Sequence, residues 1–443
     1  MLATALAASA LLTACGGGSP ADVAIAPEEP TVTPLGSVAV ASAFQTPAQI
    51  RTRYGFDALP QTPEGQGSGQ LIAIISTYNN PDIVENVATF SAKFGLSQCT
   101  EVKTTYAQLP TGYMGASISH PQVGQGCTIQ VVNVDAFGRP TKAVYSSLGK
   151  DWNTESTMDA EWAHAMAPGA SILIVQAPSP FAGALANAAR YASAIAGANV
   201  VSMSWGAPES SMQCTRRPGQ PTVKYDPNCD DAATAAKYWN QWNSQFTGGA
   251  TFVAASGDKA TLQWPAIQNN VLAVGGTVET ATIDTGWSGS GGGASMSYRS
   301  TPAQQAITGQ VQRAVPDVAF DAATPVAVYV KPNTATGLPD TACVKANGAA
   351  NCGWYGGFGT SAGAPQWAGI VAVTNALRDA KRAPAINFID SVYTVGAAPA
   401  NYPTAFMDVI SGNTIYNTSK AGYDMVTGLG APNASTLIGL LSN

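Results

Sequence analysis

Hydrophobic positions fall in two alternating patterns. Short apolar runs stand at 71–76 (LIAIIS), 171–177 (SILIVQA), 199–205 (NVVSMSW), 251–256 (TFVAAS) and 270–276 (NVLAVGG). Runs this short, bounded by Gly, Pro or polar residues, predict strands covered on both faces. Between them lie longer Ala-rich segments with helical spacing, at 154–166 (TESTMDAEWAHAM), 181–196, 232–246 and 361–380. Pro168 stops the first of these. A βαβ rhythm of this kind predicts a mostly parallel central sheet flanked by helices, an α/β fold. Chemistry in such sheets sits at the carboxyl ends of the strands. No repeat period interrupts the rhythm, which reads as one domain from 46 to 443.

The N-terminus reads differently. Residues 2–14 form an apolar stretch too short to span a bilayer, followed by Cys15. Leu12-Thr13-Ala14-Cys15 resembles the bacterial lipoprotein box, so residues 1–15 are expected to be a lipoprotein-type signal peptide, with export to the cell surface or secretion. Residues 16–45, rich in Gly, Pro, Ala and Val, read as a flexible tether. The chain has no uninterrupted apolar run of about 18 residues, so a lipid on Cys15 is the only membrane contact expected. A net charge of −6 argues against a nucleic-acid partner. Of the 7 cysteines, Cys15 aside, the others fall into sequence-local couples. Export implies disulfides, with Cys99–Cys127, Cys214–Cys229 and Cys343–Cys352 favoured for their short loops. No CxxC or Cys/His cluster suggests zinc.

Candidate chemistry starts at Ser361, in Gly359-Thr360-Ser361-Ala362-Gly363-Ala364-Pro365 at the head of the last long helix. A serine in a first helical turn lies beside backbone N–H groups able to hold an oxyanion, although Thr360 or Ser361 could equally be a simple cap. A serine nucleophile usually needs a histidine, and the chain has 2, His120 in a polar loop and His164 at a helix end. Glu155 and Asp159 offer another base: they stand i, i+4 on one helix face, near enough to share a proton. Asp258 follows a strand in Gly257-Asp258, where it closes a turn or, kept neutral, donates to an oxyanion.

Taken in order, Glu155-x-x-x-Asp159, SMSWG (202–206), ASGDK (255–259), VLAVGGT (271–277) and GTSAGAP (359–365) resemble the sedolisins, serine-carboxyl peptidases related to subtilisin. The resemblance runs from TPAQIRTRYGF (46–56) to the C-terminus. It implies a subtilisin-like fold, with Ser361 as nucleophile, Glu155 as base, Asp159 as its partner and Asp258 in the oxyanion hole. Ser204, Trp205 and Gly206 look like the strand edge that pairs with substrate. Asp408 and Asp424, with carbonyls of Val409, Lys420 and Gly422, are similar to the family's loop for one structural Ca2+. Two departures stand out. The 16–45 stretch is far shorter than the family's prodomain, and Ile75-Ser76-Thr77 lacks the acid that some members carry there. The resemblance implies a monomeric endopeptidase acting on proteins and peptides at acidic pH. The competing readings are an idle peptide-binding lipoprotein and a serine esterase or amidase.

Overall fold

The computed structural model describes residues 44–146, 151–209, 239–280, 284–332 and 352–443, and the backbone of 26–27 and 33–34. Its centre is a sheet of nine strands: β1 (Leu71–Thr77), β2 (Thr100–Val102), β3 (Thr128–Asn133), β4 (Ser171–Ala177), β5 (Val200–Met203), β6 (Thr251–Ala255), β7 (Val271–Val278), β8 (Thr285–Gly286) and β9 (Val318–Asp321). The spatial order is β8-β7-β6-β5-β1-β4-β3-β2, and β9 also pairs with β7. All pairings are parallel except β7 with β8.

Strand periodicity explains why the apolar runs are unbroken. Ile72, Ile74, Ile172, Ile174, Val253 and Leu272 face one core. Their neighbours Leu71, Ala73, Ile75, Leu173, Val175, Ala254 and Ala273 face the other. Successive side chains point to opposite faces, so a sheet covered twice needs apolar residues at every position. The first core is closed by helices α1 (Asp151–Met166) and α2 (Thr360–Ala380), packed on each other. Their axes come close because Gly369 has no side chain: a Cβ there would lie 2.5 Å from Met166 Cβ. Trp162 and Trp367 are fully buried, and their indole N–H groups donate to the carbonyls of Ala327 and Ala319 at 2.9 and 3.1 Å.

The expected elements are present with shifted ends. The 199–205 segment breaks at Ser204: β5 stops at Met203, and Trp205–Pro208 turns away into a separate small sheet. The 181–196 helix is α-helical over Ala182–Arg190 and widens into a π turn over Tyr191–Ile195. Of the 232–246 helix, residues 232–238 lie outside the described residues, and Asn243–Gln245 is only a 3-10 turn. The Asn243 side-chain amide donates to Asn240 Oδ1. A helix at Ile83–Phe94 and strand β3 add to what the pattern predicts. Among the described residues no helix is long and apolar enough to cross a membrane.

Candidate active site

Strand order reverses beside β1: β4 lies on one side of it and β5 on the other. At that switch the carboxyl ends of β5 and β6 deliver Ser204 and Asp258, while α1 and α2 bring Glu155, Asp159 and Ser361 from the covering layer.

α1 is buried along its length. Glu155 and Asp159 are 2% and 1% exposed, far below what acidic residues tolerate without a purpose or a partner. Burial raises the Asp159 carboxyl to about 8, against the lowering effect of the Ser204 hydroxyl. Ser204 Oγ lies 2.6 Å from Asp159 Oδ1 and 3.2 Å from the Ser361 carbonyl. That carbonyl is available for a reason written in the sequence. In a regular helix it would accept the N–H four residues on, but that residue is Pro365, which has none. Ser204 therefore links the acid on α1 to the backbone of Ser361. The Ser204 hydroxyl is within donating distance of both the Asp159 carboxyl and the Ser361 carbonyl.

Asp258 is held from the other side of Ser361. Its Oδ1 accepts from the Thr360 N–H at 2.8 Å and from the Thr360 hydroxyl at 2.7 Å. Thr360 Oγ1 in turn accepts from the Gly257 N–H at 3.0 Å. Asp258 Oδ2 lies against Gly359, where φ is +102° and a Cβ would collide with the carboxyl. Only glycine fits that position on both counts. Burial raises Asp258 to about 6, partly offset by the two Thr360 donors and Lys259. Asp159, through Ser204, and Asp258, through Thr360, are thus both tied to the first turn of α2.

The histidines are elsewhere. His120 is exposed and borders Gly197. His164 is fully buried, its Nε2 bonded to the Ser97 carbonyl at 2.8 Å, and burial lowers it to about 4.

A domain model for the subtilase family matches residues 148–386, more than half of the chain. The chain belongs to the subtilase family. Kumamolisin from Bacillus sp. (strain MN-32) is 28% identical to this subtilase over 436 residues, 89% of this chain and 63% of its own length. The subtilase therefore spans less than two thirds of that relative. A solved structure of Pseudomonas sedolisin, a serine-carboxyl proteinase complexed with two molecules of pseudo-iodotyrostatin, superposes with a TM-score of 0.59 at 22% identity. It covers 90% of this subtilase and 97% of the sedolisin chain. These likenesses bear out the sedolisin resemblance and the subtilisin-like fold.

The edge assigned to substrate carries a strand of the subtilase's own chain. Ala26 and Pro27, within the stretch read as a tether, pair antiparallel with Gly206 and Trp205. Thr33 and Pro34 pair with Gly356 and Tyr355, four and five residues before Thr360. The Trp205 side chain is buried, its N–H donating to the Ile75 carbonyl at 3.0 Å, so the residue offers its backbone rather than its ring. The Ser204 hydroxyl is turned to Asp159 and the Ser361 carbonyl. Where some sedolisins extend their acid network, Ser76 of β1 lies in register with Gln176 of β4.

At the C-terminal loop the two expected aspartates converge on one turn. Both carboxylate oxygens of Asp408 accept from the Gly422 N–H, at 3.2 and 3.0 Å. Asp424 is 3% exposed and accepts from the N–H groups of Lys420, Val426 and Thr427. Burial raises its carboxyl. Lys420 is exposed and makes no ion pair with either acid among the described residues. Val409 is buried beside Asp408. Two acids aimed at one loop, one buried, with no basic side chain between them, fit a hard oxygen-loving cation.

The Cys99–Cys127 disulfide is present as expected, and Cys352 is also disulfide-bonded. Cys15, Cys214, Cys229 and Cys343 lie outside the described residues. Sequence reading missed Thr360 as the residue that orients Asp258, and Pro365 as the reason Ser204 reaches the Ser361 carbonyl. A proline inside an otherwise helical run, four residues after a candidate nucleophile, was the available signal. Cys99, Cys127 and His164 come together in space although no spacing in the sequence suggests a zinc site. Their separations of 37 and 65 residues hide them from any spacing rule.

Proposed function

We propose that this subtilase is an exported serine-carboxyl endopeptidase that hydrolyses proteins and peptides in acid. The observation that carries the reading is the placement of two acids against the head of α2, Asp159 joined through Ser204 to the Ser361 carbonyl and Asp258 bound to Thr360. Substrate adds as a strand beside Trp205 and Gly206, the mode that Ala26–Pro27 already uses. Glu155, supported by Asp159, takes the Ser361 hydroxyl proton as Oγ attacks the scissile carbonyl. The tetrahedral oxyanion is held at the positive end of α2 by the Ser361 N–H and by a proton on Asp258 Oδ2. Thr360 binds Oδ1, which leaves Oδ2 to carry that proton. Glu155 then passes its proton to the leaving amine, and water repeats the sequence on the acyl-enzyme.

One Ca2+ at Asp408 and Asp424, with carbonyls of Val409, Lys420 and Gly422, would cross-link the C-terminal loop and take no part in the chemistry. Signal cleavage before Cys15 and a lipid on that cysteine, on the strength of the N-terminal sequence, and action as a monomer, on the strength of the sedolisin resemblance, complete the reading.

The test is turnover of a fluorogenic peptide in acid. Ser361→Ala and Glu155→Gln should each remove nearly all activity. The double variant should lose no more than the worse single one, because the two act as a unit. Full activity in either single variant, or hydrolysis of short esters without peptides, would sink the assignment.

A further inference from the structure

Behind the catalytic machinery, at the far end of α1, lies a group the proposed chemistry does not use. His164 is fully buried and faces the Cys99–Cys127 disulfide. Its Nε2 lies 2.8 Å from the Ser97 carbonyl, an acceptor that can only be met by an N–H. The ring proton is therefore on Nε2, and Nδ1 presents a bare lone pair. That lone pair points at sulfur: Nδ1 is 3.5 Å from Cys99 Sγ and 3.8 Å from Cys127 Sγ.

Those two distances have a chemical meaning. Zinc sits about 2.3 Å from thiolate sulfur and about 2.0–2.1 Å from imidazole nitrogen. In a tetrahedron those bonds put nitrogen and sulfur about 3.5–3.6 Å apart, and two sulfurs about 3.8 Å apart. The nitrogen–sulfur edges already have nearly that length, and all three atoms lie within 4.8 Å of one another. Only the sulfur–sulfur bond must open. The Ser97 carbonyl is the outer partner that metal-bound imidazoles typically have, holding the tautomer and the ring plane.

We propose that Cys99 Sγ, Cys127 Sγ and His164 Nδ1 form a redox-gated site for a thiolate-binding divalent cation such as Zn2+, closed by the disulfide and opened by a thiol reductant. Cys99 is the half-buried member and Cys127 the buried one, so attack comes at Cys99. A reductant thiolate bonds to Cys99 Sγ, and the electron pair of the old bond leaves on Cys127 Sγ, which takes a proton. A second reductant thiolate resolves the mixed disulfide. In sum the cystine and two reductant thiols become two cysteines and one oxidised reductant. Metal uptake then releases both thiol protons, while the neutral imidazole donates its lone pair without losing one. Water on the Cys99 side fills the fourth position. The reading does not depend on peptidase activity. It assigns the metal to the chain in a thiol-rich compartment, and the covalent staple to the chain in an oxidising one.

The full chain is reduced with dithiothreitol, freed of it anaerobically and titrated with Co2+, then Zn2+. We expect a sulfur-to-cobalt charge-transfer band saturating at one Co2+ per chain at this site, displaced by Zn2+ and absent from the oxidised protein. His164→Gln keeps every cysteine and should weaken Co2+ binding at least about tenfold. Because that variant could misfold, alkylation of reduced wild-type protein is mapped by peptide mass. Zn2+ should slow labelling of Cys99 and Cys127 together, whatever the other cysteines do. Labelling at both positions unchanged by Zn2+, an unaltered affinity in folded His164→Gln, or a reduced chain that loses its fold and does not regain it with Zn2+ would each overturn the proposal.

Discussion

Ser361 is served by neighbours with no chemistry of their own. Pro365 withholds an N–H, Gly359 makes room for a carboxylate, and Thr360 turns that carboxylate to present one oxygen. Thr360 can be tested without touching any reacting group. Its hydroxyl stabilises the ionised form of Asp258, so its loss should raise the Asp258 pKa further. Activity that needs Asp258 protonated would then persist to higher pH. Thr360→Val should move the alkaline limb of kcat/KM upward by roughly one pH unit, equivalent to about 1.4 kcal/mol. It should also lower the maximum by roughly tenfold as the carboxyl loses its orientation. Thr360→Ser retains the hydroxyl and should retain the limb. A limb that stays put in a folded Val variant would separate Asp258 from the alkaline limit.

Elements differ in how openly the sequence declares them. The central strands were legible because burial on both faces leaves no choice of residue: β1, β4 and β7 are apolar at nearly every position. The acids on α1 were legible as an i, i+4 pair, and Ser361 by its glycines. Contacts made across the fold were not. Ser204 meets Asp159 and Ser361 over separations of 45 and 157 residues, and nothing local marks the hydroxyl for that duty. The break in the 199–205 strand escaped for the same reason, since Trp205 finds its partners in Ile75 and Trp264 only after folding.

The C-terminal loop shows how an element limits the experiment. Asp424 holds three backbone N–H groups, so replacing it would destabilise the loop with or without an ion. Asp408 has a lighter structural duty, one amide at Gly422. Near neutral pH, chelator should lower the Tm of the wild-type protein, since an ion bound only by the native state stabilises it by mass action. Asp408→Asn should shrink that difference. A Tm indifferent to both calcium and chelator would remove the ion.

At the scale of the whole molecule the buried acids set how stability responds to pH. Asp159 is raised to about 8, and Asp258 and Asp321 to about 6, all by burial. A carboxyl raised in the folded state stabilises fully below its unfolded pKa and loses that contribution as pH rises through the folded value. His164, lowered to about 4, works the other way: its contribution is present above about 6.5 and is lost as pH falls toward 4. Burial raises Glu161 and Asp424 as well, so the raised acids outweigh one imidazole. With chelator present throughout, Tm should therefore climb as pH is lowered from 8 to about 4. Thermal melts across that range decide it, and a Tm that falls steadily toward acid would contradict the protonation states drawn for the site.

The pairing of Ala26–Pro27 with Trp205 and Gly206 has a consequence for measurement. A strand joined to the domain it docks on competes at an effective concentration of order millimolar, however dilute the protein. If its intrinsic Kd is also about millimolar, it doubles the apparent KM, about twofold, while kcat stays unchanged. A chain beginning at Phe44 should therefore show a KM lower by about that factor. The intact protein should give the same KM at every enzyme concentration, whereas a free peptide copying residues 24–36 should inhibit the shortened chain only when added near its own Kd. Equal KM values for the two chains would mean that substrate enters without displacing the strand.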